Sequence, residues 1–275
     1  MVKTFLLPQV IDDGRLDAIL KLISLAKSYS HEKKKLTLDW SKTKALSPAG
    51  YAIMSCVFDF LVEQKTETKN IKMSKKLLDI AVVSNLKNIQ NFTSLPAPNI
   101  NNTENPNLIV RGVEGGINTL FTERLDEKFS DKISEDILYA GKLIINELMQ
   151  NSHDHSTAER YYMYAGLWNG EFHIGLLDMG ITIPAKLEQK YTRQNDIEYL
   201  ELSFEKGSST RRQRTGGFGL YYFFEFLKEN EGKLTLLSRN AQIRRYFKTR
   251  RSQKNILKYP LPGTWCFARF ILGGK

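Results

Sequence analysis

Apolar residues recur with two different periods along the chain, and the two periods predict both helices and strands. In the first third, apolar positions are spaced as in a helix over 16–26 and again over 51–62. The second helix follows Ser47-Pro48, a typical helix start with proline in the first turn. The other elements predicted in this part are a strand at 33–40, a short strand at 71–73 and a helix at 76–83.

The later part of the chain is predicted to form an antiparallel sheet backed by helices. Alternating residues at 161–168 and 171–177 are joined by Asn169-Gly170, which is a strong signal for a β-hairpin. Ser134, followed by Glu135 and Asp136, is predicted to start a long central helix. The remaining predicted elements are strands at 108–111, 233–238 and 265–272 and a helix at 117–129.

A stretch rich in proline and asparagine separates these two parts. Residues 94–106 contain three prolines and four asparagines and almost nothing to bury, which is typical of a linker. We therefore predict an α/β (α+β) protein with a smaller N-terminal α/β domain at 1–95, a linker at 96–107 and a C-terminal domain at 108–275. A chain of 275 residues is long enough for two such domains.

The composition excludes several classes of protein. Apolar residues make up 41% and charged residues 25% of the chain, and no apolar run approaches the ~20 residues of a membrane span. The segment 5–11 is too short for a signal peptide. Cys56 and Cys266 lie far apart in apolar segments and have no metal-ligand spacing, so we expect buried free thiols in a cytoplasmic protein.

The net charge of +10 is unevenly distributed. Residues 113–204 contain 8 basic and 16 acidic side chains, whereas residues 205–258 contain 14 basic and 4 acidic ones. Arg211, Arg212 and Arg214 lie beside a glycine-rich segment, where positive charge suits phosphate groups. A second basic run at 239–258 is predicted to be a solvated hairpin, with contact to nucleic acid or to an acidic partner as the alternative.

One stripe of the central helix carries the residues with the most evident chemistry. Glu147, Asn151, Asp154 and His155 follow the spacing i, i+4, i+7 and i+8, which puts them on one side of a helix that is otherwise largely apolar. Burying such groups without partners would cost several kcal/mol. The stripe is therefore either a solvated polar face or part of a binding site.

Three further segments favour the binding site. The apolar strand at 172–177 runs into Asp178, Gly180 and a turn; a glycine-rich segment, 215–220, opens an apolar helix; and Thr264 follows Gly263 just before the last strand. Together with the helix stripe, these segments over 143–272 resemble the Bergerat-fold ATP-binding domain of the GHKL superfamily. That superfamily includes DNA gyrase, mismatch-repair ATPases, Hsp-type chaperones, histidine kinases and the anti-sigma-factor serine kinases.

The resemblance implies a site for ATP and Mg²⁺. Asn151 corresponds to the asparagine that ligates Mg²⁺, and Glu147 to the carboxylate that orients or deprotonates the attacking group. Asp178 would accept a hydrogen bond from the adenine amine, with Gly180 and Thr264 beside the base. The glycine-rich segment would hold the phosphates at a helix N-terminus. Its residues are Gly216, Gly217, Phe218, Gly219 and Leu220.

The chain also departs from the family pattern. Thr182 stands where the family has its second glycine, which would reshape the hinge of a lid between Pro184 and Thr215. Asp154 replaces the lysine found in many histidine kinases, so a cationic phosphate contact is lost there. His155 matches the histidine of the anti-sigma-factor kinases.

The N-terminal part has a weaker resemblance to the STAS domain of anti-sigma-factor antagonists. It depends on Leu36-Thr-Leu-Asp39 and on Leu46-Ser-Pro-Ala-Gly-Tyr51, within residues 34–90. Ala49 stands where that family carries its phosphorylated serine, so this position is not expected to accept a phosphate.

These resemblances leave several functions open. A histidine autokinase is disfavoured because His31, which precedes an acidic residue, runs into a predicted strand rather than a dimerising helix. The favoured functions are a serine/threonine kinase of the anti-sigma type, acting on a partner protein, and a slow ATPase switch; either is compatible with a homodimer. The alternative is an adaptor that senses ATP without turnover and binds nucleic acid or a protein.

Overall fold

The structure, a computed structural model, describes residues 2–30, 35–74, 107–113, 120–155, 160–208 and 219–272. These residues form a parallel three-stranded sheet, an antiparallel five-stranded sheet, a parallel two-stranded pair and helices. The expected mixed α/β class is confirmed. No described helix is long and apolar enough to cross a membrane.

The N-terminal part is a small parallel sheet with two helices. The sheet has the strand order β1-β3-β5, and β2 pairs with β4 beside it. The elements are β1 (Val2–Leu6), β2 (Val10–Ile11), α1 (Asp17–Ser30), β3 (Lys35–Asp39), β4 (Ala45–Leu46), α2 (Pro48–Glu63) and β5 (Glu67–Ile71). The strand expected at 71–73 lies earlier, because the chain turns at Lys72, whose φ is 56°. The helix expected at 76–83 lies outside the described residues.

Helix α2 starts as its sequence predicts. The Ser47 Oγ accepts a hydrogen bond from the Gly50 amide at 3.1 Å, and Pro48 occupies the first turn. The helix is buried from Pro48 to Leu61, because it packs against β2, β4 and β5 on one side and against the larger sheet on the other. An all-round apolar sequence such as this one is typical of a helix between two layers.

The larger sheet has the strand order β6-β7-β8-β10-β9, and every neighbouring pair is antiparallel. The predicted hairpin is confirmed: Asn169 and Gly170 both have positive φ, as a tight hairpin turn requires. The strands are β6 (Asn107–Val113), β7 (Arg160–Trp168), β8 (Glu171–Asp178), β9 (Lys233–Tyr246) and β10 (Arg251–Ile271). The helices are α3 (Leu120–Phe129), α4 (Glu135–His155), α5 (Ile183–Leu187), α6 (Asp196–Leu202) and α7 (Gly219–Glu229).

Both faces of the larger sheet are covered. Phe172, Ile174 and Leu176 of β8 face the helices α3, α4 and α7. The alternate residues, including Leu177 of β8 and Trp265 of β10, belong to the same apolar core as α1 and α2. The N-terminal part thus packs as a layer against one face of this sheet. The predicted linker at 96–107 falls almost wholly outside the described residues.

Polar contacts also join the N-terminal layer to the sheet. Arg269 of β10 donates two hydrogen bonds to the Asp13 carboxylate, one of them from Nε at 3.0 Å. Tyr162 of β7 donates its hydroxyl to Asp59 of α2. Each pair places a buried carboxylate next to a donor, which offsets the cost of its desolvation.

Strand β9 folds back on itself. A straight strand of 14 residues would span roughly 46 Å, yet the Phe247 amide, one residue beyond β9, donates to the carbonyl of Gly232, one residue before it, at 3.0 Å. The reversal falls at Arg239, whose φ is 52°, and β10 shows register shifts between Ile256 and Thr264. The distal half of the β9–β10 hairpin therefore lies beside the sheet.

Candidate nucleotide site

Four side chains line up across one edge of the larger sheet. Tyr161 of β7 is opposite Asp178 of β8, Asp178 is opposite Thr264 of β10, and Thr264 is opposite Ser238 of β9. Two residues further into the sheet, the corresponding row packs in the core beneath α3, α4 and α7. Because side chains alternate along a strand, the edge row lies on the same helix-covered face.

The C-terminal end of α4 reaches this edge. Added at Gly141, a Cβ would lie 3.2 Å from Ile174 Cδ1, so this turn of α4 sits on the middle of β8. Only four residues separate α4 from β7, a gap of at most about 18 Å. From this contact, the ten residues of helix from Gly141 to Asn151 rise about 15 Å, and the four residues of strand from Ile174 to Asp178 rise about 13 Å. Asn151 therefore lies at about the same height as Asp178.

The polar stripe of α4 faces away from α3. Lys142 forms an ion pair with Asp126 of α3 at 2.5 Å, which fixes the side of α4 that faces α3. Asn151 is nine residues later, about 180° around the helix, so it lies on the α7 side. Glu147 is exposed and Asn151 is half-buried. Both remain accessible beside the buried seam of α4. Helix α4 includes Asp154 and His155, but their side chains lie outside the described residues.

The N-terminus of α7 lies at the same edge. Helix α7 ends just before Lys233, which pairs with Arg269; Arg269 pairs in turn with His173 near the start of β8. Its other end, at Gly219 and Leu220, therefore points toward the edge where β8 ends. Gly216, Gly217 and Phe218 lie outside the described residues. A helix N-terminus carries unpaired amides and a partial positive charge, which suit an anion.

Asp178 is held by the backbone around it. The Gly180 amide donates to Asp178 Oδ1 at 2.8 Å, and Asp178 as a whole is only 5% exposed. On the other side, Gly263 is so close that a Cβ there would lie 2.2 Å from the Asp178 carbonyl oxygen. Glycines on two neighbouring segments thus leave room for a close backbone approach around this carboxylate.

Thr182 has a defined structural role. Its Oγ1 accepts a hydrogen bond from the Ala185 amide at 3.3 Å and caps α5, and Pro184 lies in the first turn of that helix. The φ of Thr182 is −77°, which is ordinary for a residue with a side chain. The threonine in place of a glycine therefore starts a helix directly after the Asp178 turn.

Sequence reasoning missed Ser238, which has three hydrogen-bond partners among the described residues. It is fully buried, and its Oγ contacts the Ile183 amide, the Gly263 carbonyl and the Thr264 hydroxyl, each at 2.9 Å. The one local signal was a serine directly after the largely apolar stretch 234–237. Its partners belong to two segments that are distant in sequence, around Ile183 and around Gly263, so no local pattern identifies them.

Arg239 anchors the segment that follows the Asp178 turn. Its guanidinium donates to Glu188 at 2.9 Å and to Asp196 at 2.9 Å, and the Asn240 amide donates to Asp196 at 3.1 Å. The hydrogen bond from Arg239 lowers the pKa of Glu188, and the arginine outweighs the effect of burial to lower the pKa of Asp196 as well. Helices α5 and α6 are thereby fixed to β9.

Much of the predicted basic cluster is already paired. Arg245 and Lys254 both contact Glu201 of α6, at 3.2 and 2.6 Å, and Arg244 donates to the carbonyl of Gly14 at 2.9 Å. Lys248 and Arg251 are exposed near the tip of the hairpin. These internal pairs disfavour a continuous basic surface for nucleic acid.

The two thiols are buried, as expected, and form no disulfide. Burial raises the pKa of Cys56 well above its usual value, and the negative charges of Asp59 and Asp178 raise it further. Burial also raises the pKa of Cys266. Neither thiol is suited to nucleophilic chemistry.

Comparison with protein-family models finds no match for this chain, and comparison with curated proteins finds none either. Within the described parts of the chain, no group of three His, Cys, Asp or Glu side chains is arranged to hold a metal ion.

Proposed function

We propose that the chain binds Mg-ATP at the edge of the larger sheet, and that it is a regulatory protein of the GHKL type. The observation that carries this proposal is the convergence at one edge, on one face, of the Asp178–Thr264 row, the C-terminal half of α4 and the N-terminus of α7. These segments are separated in sequence by up to about a hundred residues.

The base would bind at the Asp178–Thr264 pair. A buried carboxylate held by the Gly180 amide is a strong acceptor for an exocyclic amine. Thr264 is half-buried, so its hydroxyl is within reach of a ligand. Asp178 and Thr264 are direct cross-strand neighbours, with Cβ atoms about 5 Å apart, close enough to contact the same edge of a purine.

The phosphates would bind between α4 and α7. Mg²⁺, which takes few protein ligands and favours oxygen, would be held by the Asn151 amide oxygen together with phosphate and water. The N-terminus of α7 provides amides and a partial positive charge for the phosphates. Asn151 and α7 lie on the same side of α4, because Lys142 and α3 occupy the other side.

The fold supports the same proposal. An antiparallel sheet with α3, α4 and α7 packed together on one face, and the site at the strand ends, fits a Bergerat-type sandwich. The three parallel strands with α1 and α2 fit a STAS-like layer. In that layer Ser47 is fully buried and caps α2, and Ala49 is buried as well. A phosphoryl acceptor is therefore expected on a separate partner protein.

Glu147 would supply the chemistry of turnover. It lies one turn before Asn151 and is exposed, so it can approach a nucleophile above the phosphates. With water as the nucleophile the protein would be a slow ATPase switch, and with a partner's hydroxyl it would be a serine/threonine kinase. Measurement of phosphate release beside transfer of radiolabel to candidate partners separates these outcomes.

The binding proposal is tested by calorimetry with Asn151→Ala. Removing the amide oxygen should abolish Mg²⁺-dependent ATP binding while the protein stays folded. Asn146→Ala is the matched control, since Asn146 is exposed on the same helix but 140° away from Asn151 around its axis. Unchanged ATP affinity in Asn151→Ala, or no ATP binding by the wild type, would overturn the proposal.

A further inference from the structure

Ser238 is a hydrogen-bond hub whose partners leave little freedom for its proton. A serine hydroxyl has one proton to donate and two lone pairs to accept with. The Ile183 amide can only donate, so Ser238 accepts from it. The Gly263 carbonyl can only accept, so Ser238 donates its proton there.

This assignment determines the direction of the third hydrogen bond. The Ser238 and Thr264 hydroxyl oxygens are 2.9 Å apart, and either could be the donor from distance alone. Because Ser238 donates its only hydroxyl proton to the Gly263 carbonyl, Thr264 must be the donor to Ser238. The hydroxyl proton of Thr264 then points toward Ser238 on β9, and the lone pairs of the Thr264 oxygen remain to accept from a ligand.

We propose that Ser238 makes Thr264 an obligate acceptor and thereby selects a 6-amino over a 6-oxo purine, an inference that rests on the proposed ATP site. Asp178, directly opposite Thr264, is an acceptor as well. An amine brings two hydrogens to this pair of acceptors. The 6-carbonyl oxygen brings none, so a 6-oxo purine has only its N1–H to donate, and at least one of the two acceptors then faces an oxygen.

Ser238 is suited to this role because its three described partners account for its one proton and both of its lone pairs. Its side chain is fully buried, so water does not exchange with its partners. The next residue, Arg239, is fixed to both α5 and α6, which holds the Ile183 amide in place. Ser238 acts through Thr264 and is therefore a positioning residue.

The test is the ratio of ITP to ATP dissociation constants, since the two nucleotides differ only at position 6 and the adjacent ring nitrogen. Wild type is expected to prefer ATP by tenfold or more. In Ser238→Ala the Thr264 hydroxyl is free to rotate and donate to O6, so the ratio should fall at least threefold. Ser55→Ala is the matched control, because Ser55 is a buried serine that bonds only to the carbonyl of Tyr51 among the described residues.

A double mutant separates positioning from general damage. Thr264→Val removes the hydroxyl, and in that background Ser238→Ala should have no further effect on the ratio. If Ser238→Ala does not fold, Ser238→Cys takes its place, since a thiol is a weak acceptor and should shift the ratio the same way. A wild type that prefers ATP alongside a Ser238 variant with an unchanged ratio overturns this inference alone. A wild type that binds neither nucleotide overturns the proposed function.

Discussion

Gly263 is the position where a single added methyl group should do most damage to the candidate site. Its φ is 147°, a conformation that residues with a Cβ rarely adopt. In addition, a Cβ would lie 2.2 Å from the Asp178 carbonyl oxygen and 2.6 Å from Met179 Cα. Both contacts are with backbone, which cannot rotate away as a flexible side chain would.

The two costs of Gly263→Ala can be estimated separately. Backbone strain at a sparsely populated φ is about 1–3 kcal/mol. Forcing extra volume into a packed region costs about 1–3 kcal/mol more. Gly207→Ala is the matched control: its φ is 81°, but no atom lies within 4 Å of the added Cβ. The control incurs the strain of a positive φ without a clash, so we attribute a larger loss of stability in Gly263→Ala mainly to the clash.

Urea unfolding followed by circular dichroism measures both variants. We expect Gly263→Ala to lower the free energy of unfolding by about 2–6 kcal/mol. We expect Gly207→Ala to lower it by about 1–2 kcal/mol, with the midpoint moving and the slope constant in both variants. ATP affinity should fall in the first variant only. A Gly263→Ala protein as stable as Gly207→Ala would refute this account of the close approach.

Three further predictions concern the chemistry and the pH response. Glu147→Gln should bind ATP at least as tightly as wild type and trap the bound state, because a positioned base contributes typically 10²–10⁴-fold to proton transfer; turnover at the wild-type rate would make Glu147 structural. GTP should bind about tenfold to a hundredfold more weakly than ATP, because Asp178 would face a carbonyl; equal affinities in competition would remove Asp178 from this role. Burial tends to raise the pKa of Glu171, but His173, Lys233 and Arg269 outweigh it and hold that pKa at about 2. Because this pKa is depressed, ionised Glu171 stabilises the fold above pH ~4.5, and this stabilisation is lost as the pH falls toward 2. Because solvent partly screens this group, we expect the free energy of unfolding to fall by about 1–2 kcal/mol over this range. In Glu171→Gln, the free energy of unfolding should depend less on pH between 5 and 2.

Some elements could be predicted from the sequence because turn and helix-capping residues mark them locally. The hairpin around Asn169-Gly170 was predicted because its turn residues and its alternating strands agree. Helix α2 was predicted because Ser47 and Pro48 mark its start. The long helix that carries Asn151 and the strand that ends at Asp178 were predicted from their apolar patterns, and both are present.

What could not be predicted depends on residues far apart in sequence. The reversal of β9 at Arg239 has no glycine or proline to mark it. Instead it is held by Glu188 and Asp196, which lie 51 and 43 residues earlier in the chain. Likewise, Arg269 pairs with Asp13 across 256 residues. Such pairs are set by tertiary packing, and neither partner carries a local signal.

The two faces of β8 and β10 link the candidate site to the N-terminal layer. Asp178 and Thr264 face the helices, whereas their chain neighbours Leu177 and Trp265 pack on the other side in the core shared with α1 and α2. Consecutive residues of a strand alternate between faces, so the strand ends cannot shift toward a ligand without moving Leu177 and Trp265. Because a packed interior is nearly incompressible, such a shift has to be accommodated by α2. Under the proposed function, the N-terminal layer would therefore respond to ligand binding through the core that it shares with β8 and β10.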